Sequence, residues 1–586
     1  MERILRVLCV VLIAYIVGTK WQERRSVERI VEYGRANSNN ARKLKTHANE
    51  FNKPEVLKVT EGIYVAIGYA LANSILIEAP EGAIIIDTVE SMDAAEKIYE
   101  AFRQVTKSPI KAIVYTHNHQ DHVNGAEAFL KDVDGNSSVH IWSHRSLIDI
   151  FRLTNYVTGP IIYKRAMRQF GALIERENTP NSGIGFSLNL GQKQFRSGFV
   201  PPNRFLDGAE ADVTIAGLKL KLVHIPGETD DQIAVYWPEK EALFCADDVY
   251  KAFPNLYAIR GTPFRSLELW TQSLDRMYAL NAQYLVPSHT RPIVGKKEIA
   301  ELLLTYRDAV QTVHDQTVRW MNRGLHPDDI AHKVSLTKRL SEHDYLQEFY
   351  GTVAWSVKGL FAGYLGWFSG YVEELSPLST EQQAVRLVEL AGGEDKILEA
   401  ASSALAKSDF QWALQLASAA QRANPSSTSA RELKVKAIFE LAAGQISANG
   451  YNYYVTCAYE ELGKIDTKIR QDVRSRTIFT VSLETLFQMF RYRFNFEECS
   501  QMDRLVEFNF SDVKKVIRFH IREGILDLVN TRLKAKPDVK VTLTDELFRK
   551  LLTGDTAALL SSATGGISAE PGLMQFREVM NCFDRD

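Results

Sequence analysis

The stretch that decides the fold spans residues 112–125 and reads AIVYTHNHQDHVNG. Its opening apolar run, residues 112–116, is typical of a buried strand. Four metal-binding side chain types follow directly after it: His117, His119, Asp121 and His122. A loop at a strand end can direct all four to one point, whereas a helix would spread them around its axis. Imidazoles and a carboxylate at this density predict two divalent metal ions of the zinc type.

Short strand-like segments flank this stretch on both sides. They lie at residues 62–65, 74–77, 83–87, 213–225, 232–237, 242–245 and 284–286, and a helical pattern covers 94–105. Strands alternating with helices over residues 55–300 predict an α/β sandwich. Asp87, at the end of a neighbouring strand, is a candidate acceptor to orient one of the imidazoles.

The motif Thr116-His117-x-His119-x-Asp121-His122-x-x-Gly125 resembles the signature of the metallo-β-lactamase superfamily. That resemblance implies an αββα sandwich with the metal site at the strand ends and with further ligands from later loops. Candidates occur in the family's order, each after a predicted strand: Glu228, Asp247 and His289. The implied assignment puts His117, His119 and Glu228 on one ion. It puts Asp121, His122 and His289 on the other, with Asp247 between the two.

The resemblance is closer still to the alkylsulfatase branch. The block Asn255-Leu256-Tyr257-Ala258-Ile259-Arg260-Gly261 looks like that branch's Asn-Leu-Tyr-x-x-Arg-Gly motif, whose arginine binds sulfate. It implies Arg260, Asn255 and Tyr257 as substrate-binding residues, and Asp121 and Arg260 as catalytic ones. The chain departs from the branch at Asp247, where glutamate is usual, and at Asn124, where glycine is common. Without the resemblance, a structural ion pair is the alternative role for Arg260.

These features imply an enzyme, a zinc-dependent hydrolase that cleaves alkyl sulfate esters to alcohol and sulfate with a metal-activated water. Attack at carbon and attack at sulfur both stay open. A second hypothesis keeps the dinuclear site but changes the substrate to a phosphodiester, a lactone or a thioester. A third is a lipid-binding or transfer protein in which the hydrolase domain is secondary. The alkyl sulfatase hypothesis predicts a small amphiphilic molecule as substrate.

Two further domains are predicted after the sandwich. Residues 301–465 have helical spacing, and Leu365-Gly366-Trp367-Phe368 looks like the alkylsulfatase dimerisation domain, which implies a homodimer. The nearby Trp355 and Phe361, with Trp367 and Phe368, suit helix packing or a subunit interface, or alternatively a wall for an alkyl chain. Residues 466–586 mix strands at 516–520, 525–529 and 539–543 with helices at 544–552 and 556–560. They look like a small sterol-carrier-like α+β domain.

The N-terminal segment reads as an apolar leader. Residues 7–17 are uncharged and apolar, which favours a signal anchor within residues 1–20 over a cleaved signal peptide or a buried helix. Basic residues on both sides leave the orientation open. Residues 21–54 form a polar tether. The segment predicts membrane association or entry into the secretory pathway.

Composition limits the remaining classes of function. With 70 Lys and Arg against 72 Asp and Glu, the net charge of −2 gives no basic surface for nucleic acid. The five cysteines are far apart in sequence and form no CxxC pair, which argues against thiolate metal sites. A chain of 586 residues is long enough for about three to four domains.

Overall fold

The computed structural model describes residues 39–131, 139–175, 179–186, 188, 195–468, 478–479, 481–529, 534–555, 557 and 565–584. The predicted signal anchor, residues 21–38 of the tether and most of the predicted helix at 556–560 lie outside this part of the chain. Within it, no helix combines the length and the apolarity needed to cross a bilayer. The chain divides into two compact units, residues 39–151 with 162–467 and residues 152–161 with 468–584.

Two sheets form the centre of the first unit. The seven-stranded sheet runs in chain order through β1 (Glu55–Thr60), β2 (Ile63–Ile67), β3 (Ser74–Ala79), β4 (Gly82–Ile86), β5 (Ile110–Val114), β6 (His140–His144) and β7 (Arg204–Leu206). The six-stranded sheet contains β8 (Glu210–Ile215), β9 (Leu218–His224), β10 (Ile233–Trp237), β11 (Ala242–Phe244), β12 (Tyr284–Val286) and β13 (Ile293–Val294). The predicted strands are thus found, with small shifts at their ends.

Apolar side chains from both sheets meet between them in one core. Ile84, Ile86 and Val114 from the first sheet share it with Val235 and Phe244 from the second. All five residues of β4 are buried, because this strand has neighbours on both edges and is covered on both faces. β8 instead alternates between exposed and less exposed positions, as expected for the edge of a sandwich. The arrangement is the predicted metallo-β-lactamase-like sandwich.

Helices cover the sandwich and continue into a helical region. In chain order they are α1 (Asn39–His47), α2 (Met92–Val105), α3 (Gln120–Val123), α4 (Ala126–Leu130), α5 (Leu147–Arg152), α6 (Gly159–Gln169), α7 (Leu267–Ala279), α8 (Lys296–Met321), α9 (Pro327–Ala331), α10 (Lys338–Ser341), α11 (Val353–Leu365), α12 (Thr380–Ala391), α13 (Glu394–Ala406), α14 (Phe410–Ala423), α15 (Thr428–Ala443) and α16 (Ala448–Glu461). Trp270 of α7, Tyr306 of α8 and Phe361 of α11 lie in the core outside the second sheet. Part of the predicted tether is also packed, because Leu44 and Phe51 are buried.

The second unit is an α+β fold. Its sheet has the order β16 (Ile525–Leu528), β15 (Lys515–Arg522), β14 (Arg504–Phe510), β17 (Val539–Leu543), β18 (Ser568–Glu570). Its helices are α17 (Leu483–Arg491), α18 (Phe496–Cys499), α19 (Asp545–Leu552) and α20 (Leu573–Met580). Phenyl rings fill the core, with Phe487 centred 5.2 Å from Phe508 and 5.5 Å from Phe548. The predicted α+β tail domain is therefore confirmed in its fold class.

A disulfide bond joins Cys499 to Cys582, which are 83 residues apart. It ties α18 to the segment that follows α20. The sequence offered no local signal for this pair, because the two cysteines meet only through the folding of the whole unit. Closing so long a loop restricts the unfolded chain and stabilises the folded unit.

We expect Cys582→Ser to lower the free energy of unfolding of the second unit by about 4–5 kcal/mol, because the 83-residue loop is no longer closed. Hydrogen exchange of the amides in β14 and β17 measures this loss. Cys457→Ser is the matched control, since Cys457 is a free thiol. An equal rate of exchange in wild type with and without reductant would contradict the prediction.

Candidate metal centre

The candidate ligands gather at one edge of the sandwich because strand ends meet there. β4 and β5 run parallel in the first sheet, and so do β11 and β12 in the second. Each relevant side chain lies just beyond the end of a strand: Asp87 after β4, His117 after β5, Glu228 after β9, Asp247 after β11 and His289 after β12. Parallel strands with aligned ends carry these residues to the same edge.

The first group consists of His117, His119, Glu228 and Asp247, whose candidate ligand atoms all lie within 4.8 Å of one another. His117 Nε2 lies 2.9 Å from His119 Nδ1 and 3.6 Å from Glu228 Oε2. Glu228 Oε2 is also 3.5 Å from His119 Nδ1. Three residues of the group are buried and His119 is nearly so. Two imidazoles and two carboxylates thus point to one position.

The second group consists of Asp121, His122 and His289. Asp121 Oδ2 lies 3.5 Å from His122 Nε2 and 3.6 Å from His289 Nε2. Asp121 and His122 belong to the single-turn helix α3, not to a loop as the sequence suggested. One turn is short enough to direct both side chains into the site, so the predicted convergence holds despite the different local structure.

Asp247 connects the two groups. Its Oδ2 lies 3.1 Å from His289 Nε2 and 3.5 Å from His122 Nε2 in the second group. The same atom is 4.0 Å from His117 Nε2 in the first. This intermediate position is the one expected for a carboxylate shared by two ions.

Three atoms of these groups are buried and lack a hydrogen-bond partner: His122 Nε2, Glu228 Oε2 and Asp247 Oδ1. An unsatisfied buried polar atom costs about 1–3 kcal/mol, so a folded chain rarely tolerates several in one place. All three are of the imidazole or carboxylate type that binds divalent cations. The residues present therefore fit divalent metal ions.

Asp87 organises the residues behind the ligands. Its Oδ2 lies 2.7 Å from His122 Nδ1 and accepts hydrogen bonds from the hydroxyls of Thr116 and Ser288 at 2.9 Å each. The Nδ1 contact leaves His122 Nε2 to face the site. Asp87 itself adopts a left-handed backbone conformation with φ of 59°. That conformation is uncommon for a residue with a side chain, and here it places the carboxylate under the ligand.

We expect Asp87→Asn to weaken metal binding about 10- to 100-fold, because an amide cannot accept from His122 and from both hydroxyls as a carboxylate does. Competition with a chelator of known affinity measures the change. Ser288→Ala removes one donor to Asp87 and keeps the contact with His122, so a smaller loss is expected. Wild-type metal affinity in Asp87→Asn would refute this role.

Burial and charge set opposing electrostatic environments for the two groups. Burial lowers the pKa of His117, and the neighbouring His122 and His119 lower it further. Burial opposes the charged form of His122 as well, but the carboxylates of Asp247, Asp121 and Asp87 raise its pKa well above the ordinary value. The second group therefore concentrates negative charge, as a site for a cation requires.

The predicted substrate-binding residues lie unequally close to the ligands. Arg260 Nη2 is 3.0 Å from His119 Nε2, so this guanidinium borders the first group. Asn255 is buried, and neither atom of its side-chain amide has a hydrogen-bond partner. Tyr257 packs toward α11, because a Cβ atom at Gly359 would lie only 2.7 Å from the Cβ of Tyr257. Arg260 thus borders the site. Asn255 is linked to it through its backbone carbonyl, which accepts from Arg265, and the contact described for Tyr257 is with α11.

Two interactions at the site were not predicted. Arg265 Nη1 donates to Glu228 Oε1 at 2.6 Å and to the carbonyl of Asn255. Asn118, between two candidate ligands, donates to Asp231 Oδ1 at 2.6 Å. Burial raises the pKa of Asp231 to about 6. No sequence pattern distinguished Arg265 from the other arginines.

Comparison with known proteins agrees with this geometry. Three family models match successive parts of the chain: the metallo-beta-lactamase superfamily at residues 68–289, alkyl sulfatase dimerisation at 326–463 and alkyl sulfatase C-terminal at 472–586. A linear primary-alkylsulfatase from a Pseudomonas species is 35% identical over 523 residues, which cover 87% of this chain and 98% of that protein. The chain belongs to the alkylsulfatase family of the metallo-β-lactamase superfamily.

More distant members of the alkylsulfatase family align over similar lengths. An alkyl/aryl-sulfatase from Saccharomyces cerevisiae is 26% identical, over 90% of this chain and 82% of its own. The solved structure of a stereoselective inverting sec-alkylsulfatase from Pseudomonas superposes with a TM-score of 0.84 at 23% identity, covering 95% of this chain and 89% of that one. The fold is therefore that of the alkylsulfatase family from the sandwich to the C-terminal domain.

Proposed function

We propose that this chain is a metal-dependent hydrolase that cleaves alkyl sulfate esters to an alcohol and sulfate. The observation that carries the proposal is the pair of converging ligand groups with Arg260 Nη2 at their border, 3.0 Å from His119. A guanidinium offers two parallel N–H donors, which match two oxygens of a sulfate ester. Family membership and the name of the 35% identical relative point to the same substrate class.

The assignment of residues follows the two groups. His117, His119 and Glu228 would hold one ion. Asp121, His122 and His289 would hold the other, with Asp247 between them. Bound divalent ions, most simply Zn²⁺ with these nitrogen and oxygen ligands, would supply a water of lowered pKa as nucleophile.

The chain's own residues bind and orient the substrate. Arg260 would take two of the ester's sulfate oxygens, and the unpartnered amide of the buried Asn255 offers a further donor. Asp121, the least buried carboxylate of the ligand set, lies beside His122 and His289, where it would orient the nucleophilic water. Attack at carbon and at sulfur remain distinct routes to the same products.

Metal analysis combined with a panel of esters tests the proposal. We expect about two divalent ions per chain and release of sulfate from dodecyl sulfate. Turnover of a phosphodiester, lactone or thioester in place of the sulfate ester would favour the second hypothesis. Less than one ion per chain after gentle purification, with no turnover of any ester, would refute a hydrolase.

A role as a lipid carrier has less support. The rings of Phe487, Phe508, Phe519 and Phe548 pack together in the centre of the second unit, with Phe508 and Phe519 centred 5.9 Å apart. The rings fill this part of the core with the close packing of a protein interior. The full chain can be titrated with a fluorescent fatty acid. Binding that an alkyl sulfate competitor does not change would support the lipid-carrier hypothesis.

We further propose that the protein is a homodimer. Within the region matched by the alkyl sulfatase dimerisation model, the segment after α11 exposes apolar side chains, including Trp367 at 73% and Val372 at 80%. Exposed apolar surface of this kind marks protein interfaces. Light scattering should give twice the chain mass, and Val372→Glu should halve it. A monomeric wild type would exclude the dimer.

We propose that the protein resides in an oxidising compartment and that the predicted N-terminal leader directs it there. The protein would then be either secreted or anchored to the membrane. The Cys499–Cys582 disulfide supports this location, since such bonds are rare in reducing compartments. Maleimide labelling of freshly lysed cells should modify these two cysteines only after reduction. Labelling without a reductant would place the chain in a reducing compartment.

A further inference from the structure

Arg265 lies at the candidate site with an unusual set of contacts. The residue precedes α7 and is 3% exposed. Its Nη1 donates to Glu228 Oε1 at 2.6 Å and to the carbonyl of Asn255, and its Nε donates to the hydroxyl of Thr262 at 3.4 Å. These contacts fix the guanidinium plane and leave Glu228 Oε2 as the oxygen that faces His117 and His119.

The remaining nitrogen of this guanidinium, Nη2, takes part in none of these contacts. Arg265 Nη2 is buried and has no hydrogen-bond partner. Leaving a charged donor unsatisfied in a buried position is costly, because water no longer solvates it. The contacts with Glu228 and Asn255 use Nη1 alone, so neither requires Nη2. An unpartnered donor held by a rigid frame is the state expected of a ligand-binding group.

A second guanidinium shares this region. Arg260 borders the same first group through His119. Arg265 contacts Glu228 of that group, and Glu228 Oε2 lies 3.5 Å from His119 Nδ1. The two cationic side chains therefore contact adjacent residues of one group, where like charges repel each other. An anion bound between them removes this repulsion. Glu228 pairs with Arg265 through Nη1 alone, so Arg265 Nη2 still has no partner.

We propose that Arg260 and Arg265 together clamp the sulfate group of the substrate, with Nη2 of Arg265 as the second donor. The inference rests on the proposed sulfatase function and extends it, because it assigns anion binding to two arginines from one loop. Arg265 would also couple substrate binding to the metal centre, since one guanidinium would touch both Glu228 and the sulfate. Selection for a tetrahedral oxyanion follows, because a planar neutral ester has no negative charge and offers one carbonyl oxygen where a sulfate ester offers three terminal oxygens.

Calorimetric titration of metal-loaded protein with inorganic sulfate tests the clamp. Arg265→Lys keeps the charge but loses the fork, so the Kd for sulfate should rise about 10-fold or more while two ions per chain are retained. Arg276→Lys is the matched control. Arg276 follows on α7, donates to the carbonyl of His224 and should keep the wild-type Kd. An unchanged Kd for Arg265→Lys, or a loss of metal with no loss of sulfate affinity at restored metal, would overturn the proposal.

A second measurement needs no variant. In a crystal structure of the wild-type, metal-loaded protein with sulfate, Arg265 Nη2 should lie within about 3.2 Å of a sulfate oxygen. A separation beyond about 4 Å would refute the clamp even if every variant failed to fold. The clamp and the sulfatase function can also be refuted independently of each other. Sulfate binding that depends on Arg265 without sulfate ester turnover would sustain the clamp and reject the sulfatase. Sulfate ester turnover with sulfate binding that does not depend on Arg265 would support the sulfatase and reject the clamp.

Discussion

Replacing Asp247 with alanine is expected to lower kcat for alkyl sulfate hydrolysis by at least about 10³-fold, equivalent to about 4 kcal/mol. Asp247 is the carboxylate that reaches both ligand groups, at 3.1 Å from His289 Nε2 and 4.0 Å from His117 Nε2. Without it, two bound cations would lack the negative charge between them, so both groups would bind their ions less tightly. Metal content should fall from about two ions per chain toward one.

Asp248→Asn gives the matched control for this experiment. Asp248 is the adjacent carboxyl, and burial raises its pKa well above the ordinary value. Its Oδ1 accepts from the backbone N–H of Glu228 and from the side-chain amide of Gln232, and the amide oxygen of an asparagine can accept both bonds. An amide of the same shape should therefore cost less than about 10-fold in kcat. Sulfate release and elemental analysis of both variants provide the measurement. Retention of two ions and of wild-type kcat by Asp247→Ala would contradict a bridging role.

The structure brings the predicted ligand residues together in two groups, and part of this convergence follows from their order in the sequence. His117, His119, Asp121 and His122 follow one strand within six residues, so their proximity needs no knowledge of the fold. Glu228, Asp247 and His289 were identified from the family resemblance, which implies further ligands in loops after later strands. The parallel strands of the structure place these loops at one edge. The family resemblance indicated which later loops meet the first one, and the residue types alone do not carry that information.

Residues that act through tertiary contacts were not predictable in this way. Arg265 differs from other arginines only in being buried against Glu228, which its neighbours in sequence do not indicate. The cysteine pair joins segments 83 residues apart. Strand β14 was missed because Glu507 interrupts its apolar pattern. In the folded unit, this buried carboxylate is paired with Arg518 of the adjacent strand. The pairing that makes a buried carboxylate tolerable is apparent only in the folded sheet, where the two strands are adjacent.

The exposed aromatic segment shows the same limit. Phe361 and Trp367 were read as one cluster, yet Phe361 is buried in the core and Trp367 is 73% exposed. Helix α11 ends between them at Leu365, and Gly366 follows with φ of 79°. The chain therefore leaves the helix axis before Trp367. An amphipathic pattern extends only as far as the helix that produces it.

Arg260→Ala is expected to lower kcat/KM for alkyl sulfates about 10²- to 10³-fold, because it removes a charged donor pair from the group that carries the developing charge. In the structure Arg260 Nη2 faces His119 Nε2 at 3.0 Å. A neutral imidazole that gives its Nδ1 lone pair to an ion keeps its proton on Nε2, so it can no longer accept from Arg260. A metal ion held by His119 Nδ1 would thus leave the guanidinium of Arg260 available for the substrate.

A neutral ester with the same alkyl chain provides the internal control for Arg260→Ala. It carries no sulfate for the guanidinium to bind, so its kcat/KM should change less than about threefold, and metal content should stay at wild-type level. The ratio of the two specificity constants, measured on one protein preparation, isolates anion recognition from any general loss of fold. Equal losses for both substrates would make Arg260 a structural residue, and undiminished sulfate turnover would remove it from the substrate site.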